Sequence, residues 1–414
     1  MDSLLRGVRI LDISDGESSL CGKILGDLGA DVIKIERPGG SYYRNEGPFF
    51  KDVADGERSL SWFAFNSNKR GITLNVETSD GKVIFKSLAE KADVIIESFP
   101  VGFLSKLGLD YASISKFNPR IVFASITPFG QTGPYKDYKA SDIVGMAMGG
   151  FLYLCGDPER PPVRMNANQA FLHAAIEALV GIAAALYFRE LTGDGQHIDI
   201  SMQQSVIPCT VQAIPFWELN QTILERSGAF RTGLTSGTKQ RQTWACKDGF
   251  INFVIYGGSV GPALYRALVQ WMEEEGFAND SVRRLVSPDW DVATITQKEW
   301  GDIEEPIGRF FLSHTKKELA DGGAKRKFPL CPLSSLEDIL HSDQLNARQF
   351  WIDVEHPELN AVIKYPGFFA RLSETPCQFK RRAPLIGEHN HEIYVSELGL
   401  SKEEIIRLKQ TNVI

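Results

Sequence analysis

Four basic residues, Arg37, Lys69, Arg70 and Lys139, each follow or flank the end of an apolar, strand-like segment. In open α/β sheets ligands bind at the carboxyl ends of strands, and guanidinium or ammonium groups there suit phosphate oxygens. The set therefore reads either as an anion site or as solvated surface charge. Other chemistries find less support. His389 and His391 form the only close histidine pair, two apart in GEHNHE, with no third ligand set in view, so no metal centre is expected. No GxSxG elbow occurs, and no Ser, His and Asp are spaced to suggest a triad. The turn SDGESS after the first strand-like run lacks the GxGxxG and GxxxxGK spacings, so neither a dinucleotide nor a nucleoside triphosphate site is expected. The glycine-rich YGGSV at residues 256–260 reads either as a hairpin turn or as a flexible active-site loop.

Composition narrows the rest. With 43% hydrophobic, 23% charged and 10% aromatic residues in 414, the chain is a globular protein of about two domains. Its net charge of −7 gives no general attraction to nucleic acid or anionic lipid, so any anion must be held by local charge. The six cysteines form no CxxC pair or framework spacing, which points to reduced thiols in a cytoplasm. The start MDSLLRGVRILDIS has no secretory pattern, and the longest fully apolar run, residues 178–188, is too short to cross a bilayer. A soluble cytoplasmic protein with no membrane or nucleic-acid partner is expected.

The elements that must position the basic residues are legible as alternating patterns. VRILDI, DVIKIE, DVIIESF and RIVFASITPF read as strands, and SSLCGKILGDLGA, SDGKVIFKSLAEKA and YASISKFNP as the helices between them. Such alternation predicts an α/β fold with a parallel sheet covered on both faces. Residues 170–193 read as one helix, apolar nearly all round apart from His173 and Glu177, which belongs in an interior or an extensive subunit interface. The character changes near residue 206 and returns after 330, so three segments are expected: 1–205 in a large domain, 206–330 in a small one, and 331–414 returning to the large one.

LGDLGADVIKIERPGG, NKRGITLNVETSDGK, NPRIVFASITPFGQTGPY, PPVR, RELTGDGQHIDISM and APLIGEHNHEIYVSELGLSKEEI together resemble the class III CoA-transferases (CaiB/BaiF, formyl-CoA transferase-like) over about residues 5 to 410. The resemblance implies a large Rossmann-like domain built from the N- and C-terminal segments, a smaller inserted domain, and two chains interlocked as rings. It also implies a reaction in which CoA passes from an acyl-CoA thioester to a free carboxylic acid, often a dicarboxylic acid. An Asp carboxylate attacks the thioester, giving an anhydride and then an aspartyl-CoA thioester, so that one hard exchange becomes several easier acyl transfers.

At the position of that Asp the sequence departs from the family. Counting forward from Pro161, Pro162, Val163 and Arg164, and back from Gly181, both routes reach Phe171, which cannot form an anhydride. Asn166, Asn168 and Gln169 are amides, and Glu177, six residues on, is a weak substitute. The His of related racemases falls at Ser141. Some family members are heteromers in which one subunit carries the Asp and its homologue lacks it, one of them acting on (R)-benzylsuccinate in toluene degradation. The resemblance thus implies a non-catalytic subunit that pairs with a homologous Asp-bearing one; the alternatives are a homodimer using Glu177 and a CoA-binding or assembly protein without chemistry. Family contacts with CoA map onto Arg37, Asn66, Lys69, Ser98, Phe99 and Lys139, while Pro100 replaces a further Arg. Loss of that cation would weaken CoA binding by about 1–3 kcal/mol.

Overall fold

The computed structural model describes residues 3–211, 213–232, 236–255 and 261–414, so the glycine-rich segment 256–260 lies outside the described residues. The chain divides into two compact units: residues 1–152, 164–221 and 347–414 form one, and 153–163 and 222–346 the other. The second unit thus takes in a short segment before the long helix and runs 222–346, where composition placed 206–330.

The first unit is built on a six-stranded parallel sheet ordered β3-β2-β1-β4-β5-β6. Its elements run β1 (Arg9–Ile13), α1 (Leu20–Asp27), β2 (Asp31–Glu36), α2 (Leu60–Asn66), β3 (Lys69–Thr73), α3 (Ser79–Glu90), β4 (Val94–Glu97), α4 (Phe103–Leu107), α5 (Tyr111–Ile114), β5 (Val122–Thr127), α6 (Asp142–Met148), α7 (Gln169–Thr192), β6 (His197–Ser201) and α8 (Met202–Val206). The strands are continuous apolar runs because both faces are covered. Ile10, Val32, Val94, Ile96, Val122 and Ala124 enter one cluster with α1 and α7, whereas Leu11, Ile33, Ile95 and Phe123 enter another with α3 and the C-terminal segment. The helix YASISKFNP is only one turn, α5, capped by Asp110.

Helix α7 ends at Gly193, whose φ of 88° is the left-handed conformation glycine adopts readily. Ala170, Ala174, Ala175, Ala178, Ile182 and Ala185 form the stripe that lies on the sheet. Within this chain the helix is not buried all round as its composition suggested. Val180 is 59% and Leu191 69% exposed, with Ile176, Tyr187 and Phe188 beside them. By length and hydropathy α7 is long and apolar enough to cross a membrane; its small-residue stripe instead packs it as a core helix of the first unit.

The second unit has its own core, in which Trp244, Ile251, Trp271, Trp300, Phe310 and Phe311 pack around a three-stranded antiparallel sheet. Its helices at Gln297–Leu312 and Lys316–Arg326 begin with reciprocal capping boxes, Thr296 with Glu299 and Thr315 with Glu318.

Candidate functional site

The first strand delivers the chain into a turn, residues 14–19, that touches the segments following two neighbouring strands, β4 and β2. Asp15 N–H donates to Ser98 Oγ (2.8 Å), just past β4, and Ser41 Oγ, past β2, donates to the Asp15 carboxylate. Phe99 N–H donates to Glu97 Oε2 at 2.6 Å, and the Phe99 ring stacks on Phe103 with centroids 4.7 Å apart. Arg37 is exposed at the end of β2, its Nε donating to Gly40 O (3.0 Å) and its guanidinium lying over Tyr42. Lys139 is exposed on the loop between β5 and α6. Four of the sequence candidates, Arg37, Ser98, Phe99 and Lys139, therefore lie at or beyond carboxyl ends of the sheet. An open cavity of about 530 Å³ adjoins the ends of β2 and β3, lined by Pro38, Gly39, Thr73, Asn390, His391 and Lys409.

Lys69 and Asn66 are placed differently. Lys69 opens β3 at its amino end and is fully buried, its Nζ donating to Asp12 Oδ2 (2.7 Å), Ser19 O (2.7 Å) and Asn66 Oδ1 (3.0 Å). An ammonium has three donors, and all three are spent, so Lys69 offers none to a phosphate. Burial pulls it down to about 8 against the upward pull of Asp12. Burial pushes the Asp12 carboxyl up, yet Lys34 and Lys69 outweigh it and hold the group below the usual carboxylate range. Arg70 belongs to neither site: it pairs with Asp31 at 2.6 Å and with Glu392 at 2.7 Å, fixing the C-terminal segment to the amino end of the sheet. His389 accepts from Gly71 N–H through Nδ1 (3.1 Å), which ties it to β3, while His391 lines the cavity.

Phe171 stands in the first turn of α7 and packs its half-buried ring against the cluster between helix and sheet. Polar groups surround that turn. Asp142 Oδ1 accepts from Ala170 N–H (2.7 Å), which places a carboxylate at the positive end of the helix dipole. Asp142 Oδ2 is 3.7 Å from Arg164 Nε; Arg164 also donates to Asn168, whose Nδ2 donates to Glu17 Oε1 at 2.5 Å. Glu177 is exposed, about 9 Å further along the axis and turned away from the buried face of Phe171. The carboxylates bonded to this turn and its capping residue are thus Asp142 and Glu17, neither of which stands out in the sequence. The signal for Glu17 in the sequence is its position in the SDGESS turn directly after the first strand.

One consequence is measurable in stability. Glu97 is 5% exposed, and burial pushes its carboxyl up to about 7, opposed by hydrogen bonds from Ser125 and Phe99. Between about pH 4.5 and 7 the folded chain holds a proton that the unfolded chain has released, so stability falls as pH rises through this window, by about 3 kcal/mol in all. Glu97→Gln is expected to flatten that slope in urea unfolding measured from pH 5 to 7.5. Parallel curves for the two proteins would refute the assignment.

Comparison with known proteins adds an independent line. A family model described as CoA-transferase family III matches residues 5–390. Subunit BbsE of succinyl-CoA:(R)-benzylsuccinate CoA-transferase from Thauera aromatica is 34% identical over 98% of this chain and 97% of its own length. Formyl-CoA:oxalate CoA-transferase from Streptomyces avermitilis is also 34% identical, over the full length of both. A crystal structure of a CaiB/BaiF family protein from Brucella suis superposes with a TM-score of 0.80 at 26% identity, covering 96% of this chain and all of that one.

Proposed function

Since this chain belongs to CoA-transferase family III, we propose that it is the subunit of a heteromeric CoA-transferase that lacks the nucleophile, working beside a homologous subunit that carries the Asp. The observation that carries this reading is Phe171, an apolar ring packed into the first turn of α7 where the family pattern has its nucleophilic carboxylate. Glu177 is no substitute, because it is exposed and lies off that turn. The exposed apolar face of α7, with Ile176, Val180, Tyr187 and Leu191, supports the same reading: a patch of this kind marks a protein interface, and the homologous chain would cover it by interlocking. The similarity to a protein named as a subunit agrees with it.

In this reading the first unit is the Rossmann-like large domain and the second the inserted one. Arg37 and Lys139 pair with the phosphates of CoA, Ser98 and Phe99 line its path, and Asn66 and Lys69 support the site from beneath. The donor is succinyl-CoA and the acceptor a dicarboxylic acid of the (R)-benzylsuccinate type. Six scattered cysteines with no CxxC pair or framework spacing fit a cytoplasmic location.

The test is to express the chain alone and together with an Asp-bearing homologue, then assay succinyl-CoA-dependent transfer to (R)-benzylsuccinate and other dicarboxylates. Activity is expected only from the pair. Robust transfer by the chain alone would overturn the proposal.

A further inference from the structure

The resemblance assigned Lys69 to CoA, but its ammonium is spent on the protein. What it holds is informative. Asp12, near the end of β1, is fully buried between two buried ammonium groups, Lys69 Nζ at 2.7 Å and Lys34 Nζ at 3.4 Å. Both lysines reach past that carboxylate to the turn of residues 14–19. Lys34 donates to Ser14 O and, at 3.1 Å, to Ser19 Oγ; Lys69 donates to Ser19 O at 2.7 Å. Asp12 Oδ1 in turn accepts from Ser14 N–H (3.0 Å) and Ser14 Oγ (2.6 Å). The first and last residues of the turn are therefore bound to one ionic cluster, while its middle carries Asp15, tied to Ser98 and Ser41, and Glu17, tied to Asn168 at the start of α7.

We propose that Lys34 and Lys69 are positioning residues that clamp both ends of the 14–19 turn, and through it fix the strand ends and the first turn of α7 that make up the CoA site. The clamp rests on the proposed function only for the identity of the ligand. Its chemistry is suited to the task. A charged donor on a carbonyl makes a stronger bond than a neutral one, and two cations sharing one carboxylate leave donors over for the turn. Helix α1 closes the cluster from above: a Cβ on Gly22 would lie 2.5 Å from Asp12 Oδ2, so the helix backbone sits directly on the carboxylate and leaves no room for solvent to loosen it.

The test compares the full chain with Lys69→Met and Lys34→Met. Either change leaves one lysine against one carboxylate, so folding is expected to survive; Ser14→Ala is the milder variant if it does not. Amide hydrogen exchange is read over residues 14–19 and over the rest of the sheet, and coenzyme A is titrated calorimetrically. Exchange within the turn should quicken about 10- to 100-fold with the other strands unchanged, and CoA should bind about 10-fold more weakly. Unchanged exchange in the turn, or an equal rise in every strand, would overturn the clamp, as would a loosened turn with unaltered CoA affinity. If the wild-type chain binds no CoA, the proposed function fails instead, and the exchange comparison still decides whether the lysines hold the turn.

Discussion

Asp12→Ala is expected to be among the most damaging single substitutions in the first unit. Among the described residues its carboxylate is the only one in ion-pair contact with the Lys69 ammonium, and Lys34 shares it. Both lysines are buried, and removal of the carboxylate leaves two like charges facing each other in a medium that solvates neither. Breaking a buried pair in this way costs about 3–5 kcal/mol, a large part of the 5–15 kcal/mol by which a typical protein is stable. The cost comes from the orphaned charge and not from any net strength of the ion pairs. The triple variant Asp12→Leu, Lys34→Met, Lys69→Met should therefore recover most of the stability while losing the bonds to the turn. Urea unfolding of the three proteins checks this. A loss below about 1 kcal/mol for Asp12→Ala would contradict it.

The contrast between Lys69 and Arg37 shows how far the sequence could be read. Alternation of apolar segments with helical spacing was enough to place β1, β2, β4 and β5, because strands buried on both faces need unbroken apolar runs, whereas β3, the short Lys69–Thr73, was not legible. Arg37 followed such a run and is exposed at its end. Lys69 stood in an equally basic context, NSNKRG, yet its side chain turns inward to a carboxylate 57 residues away in sequence. No local pattern reports a pairing of that range. Helix α7 makes the same point with apolar residues. Its length and its stop at Gly193 were legible, but both faces are apolar, so hydropathy alone did not say which face lies on the sheet and which stays exposed in this chain. The second unit acquires residues 153–163 through contacts such as Gly228 N–H to Gly156 O at 2.9 Å, again a long-range event.

Phe171→Asp is the substitution with the largest expected effect on chemistry. The new carboxylate would stand in the first turn of a 24-residue helix, where the helix dipole favours negative charge, with Glu17 and Asp142 on neighbouring elements opposing it. Exchange of a half-buried ring for a charge costs about 2 kcal/mol of packing, within what the chain should tolerate. In return the chain regains a group able to attack a thioester carbonyl, release CoA thiolate and hold the acyl group as an anhydride. With succinyl-CoA, borohydride or hydroxylamine trapping should then label residue 171, and transfer by the chain alone should rise on the order of 100-fold, the usual worth of one group acting in the transition state. Wild-type protein should show no label. Because Glu177 and Glu17 remain in both proteins, a label on either of them in the wild type would mean that the chain supplies its own nucleophile, and the reading of Phe171 as the mark of a non-catalytic subunit would fall.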